Sequence, residues 1–235
     1  MRALVTGGAK RLGKEMAIFL AERGFEVAIH YHSSEKSADE LVEYIQSKIG
    51  KNSVALRADL TKEAEVRELI TRANEKLGGP ISCLINNASI FENDKLENFS
   101  SNSWDKHLTT NLRTPALLSK EFAKNIKGRN NNIINIIDQR VFKLTPYFFS
   151  YTISKTGLYT LTKTSAMSLA PKIRVNGIAP GPTIKNKRQS ENHFKKQYMA
   201  TPLKRQVDVE QICNAVDFFI KNISITGQVL AIDSG

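Results

Sequence analysis

Two cysteines, Cys83 and Cys213, are all that this 235-residue chain contains. That is too few for a disulfide framework or a cysteine-rich metal site. Histidine is also scarce, with four in all. His30 and His32 share one face of an expected strand, but no cysteine or cluster of acids joins them, so no metal site is expected. No apolar run approaches the roughly 20 residues of a membrane-crossing helix. The opening MRALVTGG reads directly as strand and turn, without the pattern of a signal peptide, so a cytoplasmic location is the expectation. Acidic residues are outnumbered: 23 Asp and Glu against 34 Lys and Arg give a formal net charge of +11. Such an excess favours anionic partners, whether phosphorylated cofactors, acidic substrates, nucleic acid or a membrane surface. The basic residues are mostly dispersed, with one local bias at 185–205, where Glu191 is the single acid. No nucleic-acid motif accompanies that bias, so nucleic acid is not the expected partner.

What is present is a regular alternation of short apolar runs and amphipathic stretches, without repeats, low-complexity tracts or linkers. Residues 2–6 read as a strand, and Thr6-Gly7-Gly8-Ala9-Lys10-Arg11-Leu12-Gly13 turns from it into a helix ending near Glu22. A second strand follows at 25–31, then a helix near 35–49, a strand at 53–58, a helix at 62–77 and a strand at 81–87. Further on come one long helix at 102–127, a buried strand ending in Ile137, a helix through Tyr151 to Leu169, and a strand at 173–178. Ala179-Pro180-Gly181-Pro182-Thr183 opens a long loop, Asp208 starts another helix, and residues 227–233 close the sheet. Repeated β-α-β units imply a parallel, doubly wound α/β sheet with helices on both faces, as one domain spanning 1–235.

A glycine turn between the first strand and the first helix allows backbone to approach a pyrophosphate, which the helix N-terminus stabilises. At the end of the second strand stand Tyr31, His32, Ser33 and Ser34, where an NAD-preferring site carries an acid for the ribose hydroxyls. With none there, and with Lys10 and Arg11 in the turn, NADP(H) is the expected cofactor. Ser33 and Ser34, with His32, would hydrogen-bond a 2′-phosphate; the serines equally suit capping of the next helix. Tyr151 and Lys155 form a Y-x-x-x-K pair on one helix face. An ammonium held close favours a phenolate and brings a tyrosine nearer the working range of a general acid. Asp138 ends the strand that faces the ligand crevice. Asn111 stands in mid-helix, where asparagine is usually exposed but also marks a bend or a water site.

These residues together, in this order and spacing, resemble the short-chain dehydrogenases/reductases along essentially the whole chain. The resemblance rests on the glycine turn, Asn86-Asn87-Ala88, Trp104 with Asn111, Tyr151 with Lys155, Arg174-Val175-Asn176 and Pro180-Gly181. Arg11 in place of the middle glycine, and Asp138 in place of the usual serine, are shared with the pteridine reductases and the dihydromonapterin reductases with dihydrofolate reductase activity. His30-Tyr31-His32 and Asn86-Asn87-Ala88-Ser89 are shared as well. The resemblance implies a cofactor site of Gly7, Lys10, Arg11, Leu12, Gly13, Tyr31, His32, Ser33, Ser34, Asp59, Leu60, Asn87, Ala88, Ser89, Tyr151, Lys155, Pro180, Gly181 and Thr183. It implies that Phe91 stacks on a pterin ring, with Arg11, Ser89, Asp138 and Tyr151 also touching substrate. Asp138, Tyr151, Lys155 and Asn111 are the implied catalytic set, Asn111 holding a relay water and Lys155 holding the nicotinamide ribose and tuning Tyr151.

The chemistry of Asp138 agrees with that implication. An ionised carboxylate repels the oxyanion that develops in ketone reduction. A carboxyl group suits a C=N bond, whose nitrogen gains a proton as hydride reaches carbon. The alternative is that Asp138 merely pairs with a nearby Arg or Lys. The expected activity is therefore NADPH-dependent reduction of a dihydropterin or dihydrofolate. The rivals are a carbonyl reductase such as a 3-oxoacyl-carrier-protein reductase and, more remotely, a non-enzymatic NADP-binding regulator. The resemblance also implies a homotetramer and a C-terminal tail at or just beyond Gly235. It leaves room for the basic 185–205 loop to close over the substrate and attract a folate glutamate tail.

Overall fold

The structure is a computed structural model that describes residues 1–128, 130–186 and 189–235. Seven strands form one sheet: β1 (Arg2–Val5), β2 (Glu26–Tyr31), β3 (Ser53–Arg57), β4 (Cys83–Asn86), β5 (Asn131–Ile136), β6 (Ile173–Pro180) and β7 (Val229–Ile232). Their order is β3-β2-β1-β4-β5-β6-β7, and every pairing is parallel. The helices are α1 (Arg11–Glu22), α2 (Glu35–Tyr44), α3 (Glu63–Lys76), α4 (Ser101–Leu108), α5 (Thr114–Asn125), α6 (Phe149–Leu169), α7 (Glu191–Met199) and α8 (Val209–Lys221).

The two-residue period of a strand sorts the core into two layers. Ala3, Val5, Val27 and Ile29 pack against Met16 and Leu20 of α1, Leu41 of α2 and Ile212 and Val216 of α8. Leu4, Ala28 and Leu84 point the other way, to Leu69 and Ile70 of α3, Leu118 and Phe122 of α5 and Ala166 of α6. Central strands covered on both faces need apolar residues throughout, which is why β1 and β4 are short continuous apolar runs.

From β1 the chain winds outward to β2 and β3, and from β4 outward to β5, β6 and β7. The strand order reverses between β1 and β4, so the turns leaving their C-terminal ends open a crevice there. Two expectations are corrected. The single long helix at 102–127 is two, α4 and α5, joined by a π-helical turn at Thr109–Arg113 that contains Asn111. The expected long loop after Thr183 contains α7, capped by Ser190, whose Oγ accepts from the His193 amide at 3.2 Å. Of the basic 185–205 segment, Lys187 and Arg188 lie outside the described residues.

Candidate active site

The crevice is a cleft of about 1600 Å³. At its floor the glycine turn is held by side chains from three strands. Gly7 adopts φ +61, and its amide donates to His30 Nδ1 at 3.0 Å. His30 Nε2 lies 3.1 Å from the Ala58 carbonyl and donates to it, so the ring is neutral with its proton on Nε2. Burial lowers its pKa to about 4. Asn87 Nδ2 donates to the Thr6 and Gly7 carbonyls, and the Asn87 and Ala88 amides donate to Thr6 Oγ1. The turn thus has no room for side chains. A Cβ on Gly13 would lie 2.2 Å from the Gly7 carbonyl oxygen and 2.7 Å from Asn87 Nδ2.

Above this turn α1 begins with no acid in its first turn and no side-chain cap. Its N-terminal amides and the positive end of its dipole are therefore available to an anion. Gly7, Lys10, Arg11, Leu12 and Gly13 line the cleft here, as do Asn87, Ala88 and Ser89 from the β4 end and Pro180, Gly181 and Thr183 from the β6 end. A pyrophosphate-bearing dinucleotide fits this cradle. At the cleft's outer end stand His32, Asp59 and Leu60. His32 Nε2 is 3.9 Å from Asp59, whose carboxylate accepts from the Thr61 amide and hydroxyl.

One expected contact at that end changes. Tyr31 is core: its ring is buried among the α1 and α2 side chains, and its hydroxyl donates to Glu35 at 3.1 Å. A side chain one residue out of phase with His30 and His32 points to the opposite face of the strand. Ser33 is exposed and Ser34 half-buried beside His32 at this end, and the Ser34 hydroxyl does not cap α2.

The reactive groups meet at the end of β5. Asp138 leaves the strand in extended conformation; its Oδ1 accepts from the Arg140 amide at 2.8 Å, and its Oδ2 accepts from Tyr151 Oη at 2.7 Å. Lys155, one helical turn along α6, donates to the Ile136 carbonyl at 2.8 Å. Burial lowers its pKa to about 8. Burial, then the Asp138 charge and hydrogen bond, push the Tyr151 phenol well above its ordinary value. This corrects the expectation that Lys155 would draw Tyr151 toward phenolate. The neighbouring carboxylate and desolvation win, and the phenol keeps its proton.

Asn111 lies in the π-helical turn. Its Oδ1 accepts from the Ile90 amide at 2.8 Å and from Ser89 Oγ, and its Nδ2 donates to the Ile90 carbonyl and to Ser154 Oγ at 3.0 Å each. All four capacities of the amide are used. The side chain is fully buried and ties the Ser89–Ile90 segment to α6. The π-helical turn is the bend that a mid-helix asparagine signals. Phe91 follows that segment into the cleft, edge-on to Tyr151 at 4.6 Å between ring centroids.

Arg11, expected against substrate and phosphate, reaches across the cleft. Its guanidinium donates to the Ile184 and Lys185 carbonyls at 3.0 and 2.9 Å, joining the glycine turn to the segment before α7. Arg11 holds φ +54, a left-handed conformation uncommon for a side-chain-bearing residue, at the position where relatives of this turn carry glycine. The sequence reading missed the role of His30. Its signal was a histidine inside an otherwise apolar buried strand, a polar group that requires partners. It also missed Asn93 and Asp94, which accept from the start of α6, and Phe148, which stacks on Phe91; none carries a local motif.

A family model described as enoyl-(acyl carrier protein) reductase matches residues 7–235. A 3-oxoacyl-[acyl-carrier-protein] reductase FabG of Staphylococcus epidermidis is 33% identical over 239 residues, covering 99% of this chain and 97% of that protein. Among solved structures, FolM alternative dihydrofolate reductase 1 from Brucella canis, complexed with NADP, superposes with a TM-score of 0.95 at 43% identity, covering 100% of this chain and 92% of the other. The protein of the same name from Brucella suis, also with NADP, gives 0.95 at 42% identity, over 100% and 94% of the two chains. With the matched model covering nearly its whole length, the chain belongs to the short-chain dehydrogenase/reductase family.

Proposed function

We infer that this oxidoreductase takes NADP(H) and reduces the C=N bond of a dihydropterin or dihydrofolate to the tetrahydro form. The observation that carries the reading is the Asp138–Tyr151 pair, with its 2.7 Å hydrogen bond at the floor of the cleft. The higher identity to the NADP-complexed FolM proteins, against 33% for the FabG relative, supports it.

The glycine turn and the α1 N-terminus would hold the pyrophosphate, and Lys155 would hold the nicotinamide ribose. NADPH supplies the hydride for the C6 carbon of the pterin. Phe91 offers its ring to the pterin plane, with Ser89 beside it. Nitrogen N5 must gain a proton as C6 gains hydride. This hydrogen-bonded pair is the source, directly or through water. Such positioned proton transfer contributes about 10² to 10⁴ in rate. The raised Tyr151 pKa keeps the phenol protonated at neutral pH. Asn111 contributes by fixing Ser89 and Ile90 against α6.

The second reading is a carbonyl reductase acting on an acyl thioester, favoured by the FabG relative. The two separate in one assay: NADPH oxidation with dihydrofolate, dihydromonapterin and dihydrobiopterin beside acetoacetyl thioester. The pteridine reading expects turnover of at least one pterin and none of the thioester. The reverse pattern contradicts it.

A further inference from the structure

Phe148 is one of five residues other than glycine with positive φ among the described residues, and it immediately precedes the helix that carries Tyr151. Its φ of 57 and ψ of 46 place a bulky aromatic in the left-handed region, a strained arrangement that persists only where neighbours determine it. Here the neighbours are named. The Phe148 amide donates to Asn93 Oδ1 at 3.2 Å, and the Phe149 amide to the Asp94 carbonyl at 3.2 Å. The Ser150 amide donates to Asp94 Oδ1 at 3.0 Å, and its hydroxyl to Asp94 Oδ2. Asp94 is itself buried. The start of α6 is thus capped by the loop after β4 and not by its own residues, and the loop carrying Phe91 is locked to the helix carrying Tyr151.

The result of this lock is a pair of rings. Phe148 lies face to face with Phe91, with centroids 4.3 Å apart and planes within 4°. Phe91 lines the cleft, and Phe148 covers one of its two faces. The Arg140 guanidinium sits 4.4 Å over the Phe148 ring and 6.0 Å from that of Phe91. The Arg140 backbone amide is the one that holds Asp138 Oδ1. The same short segment therefore fixes both the reacting carboxyl and the rear of the aromatic wall.

We propose that Phe148, clamped by Asn93 and Asp94, is a specificity-determining positioning residue that backs Phe91 into a flat, rigid wall selecting planar heteroaromatic substrates over flexible acyl chains. This deepens the pteridine reading and rests on it. A backed ring cannot tilt or withdraw, so a planar ligand meets a preorganised face and loses little by ordering it. An acyl chain has no π-face to match that wall and loses rotamer freedom against it.

The test is fluorescence titration of the enzyme–NADP⁺ complex with folic acid, together with steady-state kinetics on dihydrofolate. Phe148→Leu and Phe148→Tyr are compared with wild type. Aromatic pairing of the usual strength predicts that Phe148→Leu weakens folic acid binding and raises KM by about three- to tenfold. kcat should move much less, NADPH affinity should stay level as the check on folding, and Phe148→Tyr should restore wild-type binding. Unchanged folic acid affinity in Phe148→Leu overturns the wall while leaving the pteridine reading intact. So does a loss in Phe148→Leu that Phe148→Tyr shares, or one accompanied by an equal loss of NADPH affinity. Folic acid binding that depends on Phe148 in an enzyme that reduces no pterin upholds the wall and sinks the pteridine reading.

Discussion

The two halves of the cleft are built by different means. The cofactor half, between β1 and β4, is made of backbone brought close by glycine and pinned by buried amide and imidazole groups. The Gly7 amide meets His30, and the Thr6 and Gly7 carbonyls meet Asn87. The substrate half, beyond β5, is made of side chains from separated segments: Asp138, Phe91, Phe148, Tyr151 and the segment that Arg11 reaches. The first half recognises a group common to many ligands and needs only close approach. The second sets which bond is reduced, and needs particular chemistry at particular points.

The sharpest way to break this contrast is to fill the backbone-built half. Gly13→Ala places a methyl group 2.2 Å from the Gly7 carbonyl oxygen, so either that turn or α1 must move. Displacing such a turn by about 1 Å is expected to weaken NADPH binding on the order of 100-fold. Fluorescence titration reads this directly, and an unaltered affinity would show that the turn yields cheaply.

A smaller effect distinguishes the halves by pH. His30 has a folded pKa of about 4 against an ordinary 6.5, so between those values the unfolded chain binds the extra proton. Its contribution to stability is complete above the ordinary value and is lost as pH falls toward the folded one, on the order of 3 kcal/mol in all. Melting temperatures at pH 7 and pH 5 should therefore diverge in wild type and diverge less in His30→Asn. Equal pH dependence in both would remove His30 from the account.

How much of this was legible in the sequence follows the same division. The alternation of apolar runs and helical stretches reveals the parallel sheet because central strands covered on both faces must be apolar throughout. The glycine turn is readable because a Cβ at Gly13 would collide with the Gly7 carbonyl. Tyr151 and Lys155 announce themselves by helical spacing. Tyr31 was misplaced because proximity in sequence to His32 concealed that strand neighbours face opposite ways. The Tyr151 pKa was misjudged because its nearest charge in space, Asp138, is 13 residues away, whereas Lys155 is four. Asp94 and Phe148 carry no signal of their own. Their roles exist only once the loop after β4 meets the start of α6, a contact across 56 residues for Asp94 and Ser150. The helix α7 was hidden in a polar, basic stretch with one buried aromatic, Phe194, to signal an amphipathic face.

The measurement closest to the central claim is a substrate comparison of wild type with Asp138→Ser, using NADPH oxidation on dihydrofolate and on acetoacetyl thioester. With the carboxyl at the site of proton delivery, dihydrofolate turnover falls by about 10² to 10⁴. NADPH affinity is preserved, because Asp138 lies outside the glycine cradle, and the thioester is turned over no worse than before. Dihydrofolate turnover that survives the replacement intact would contradict the account.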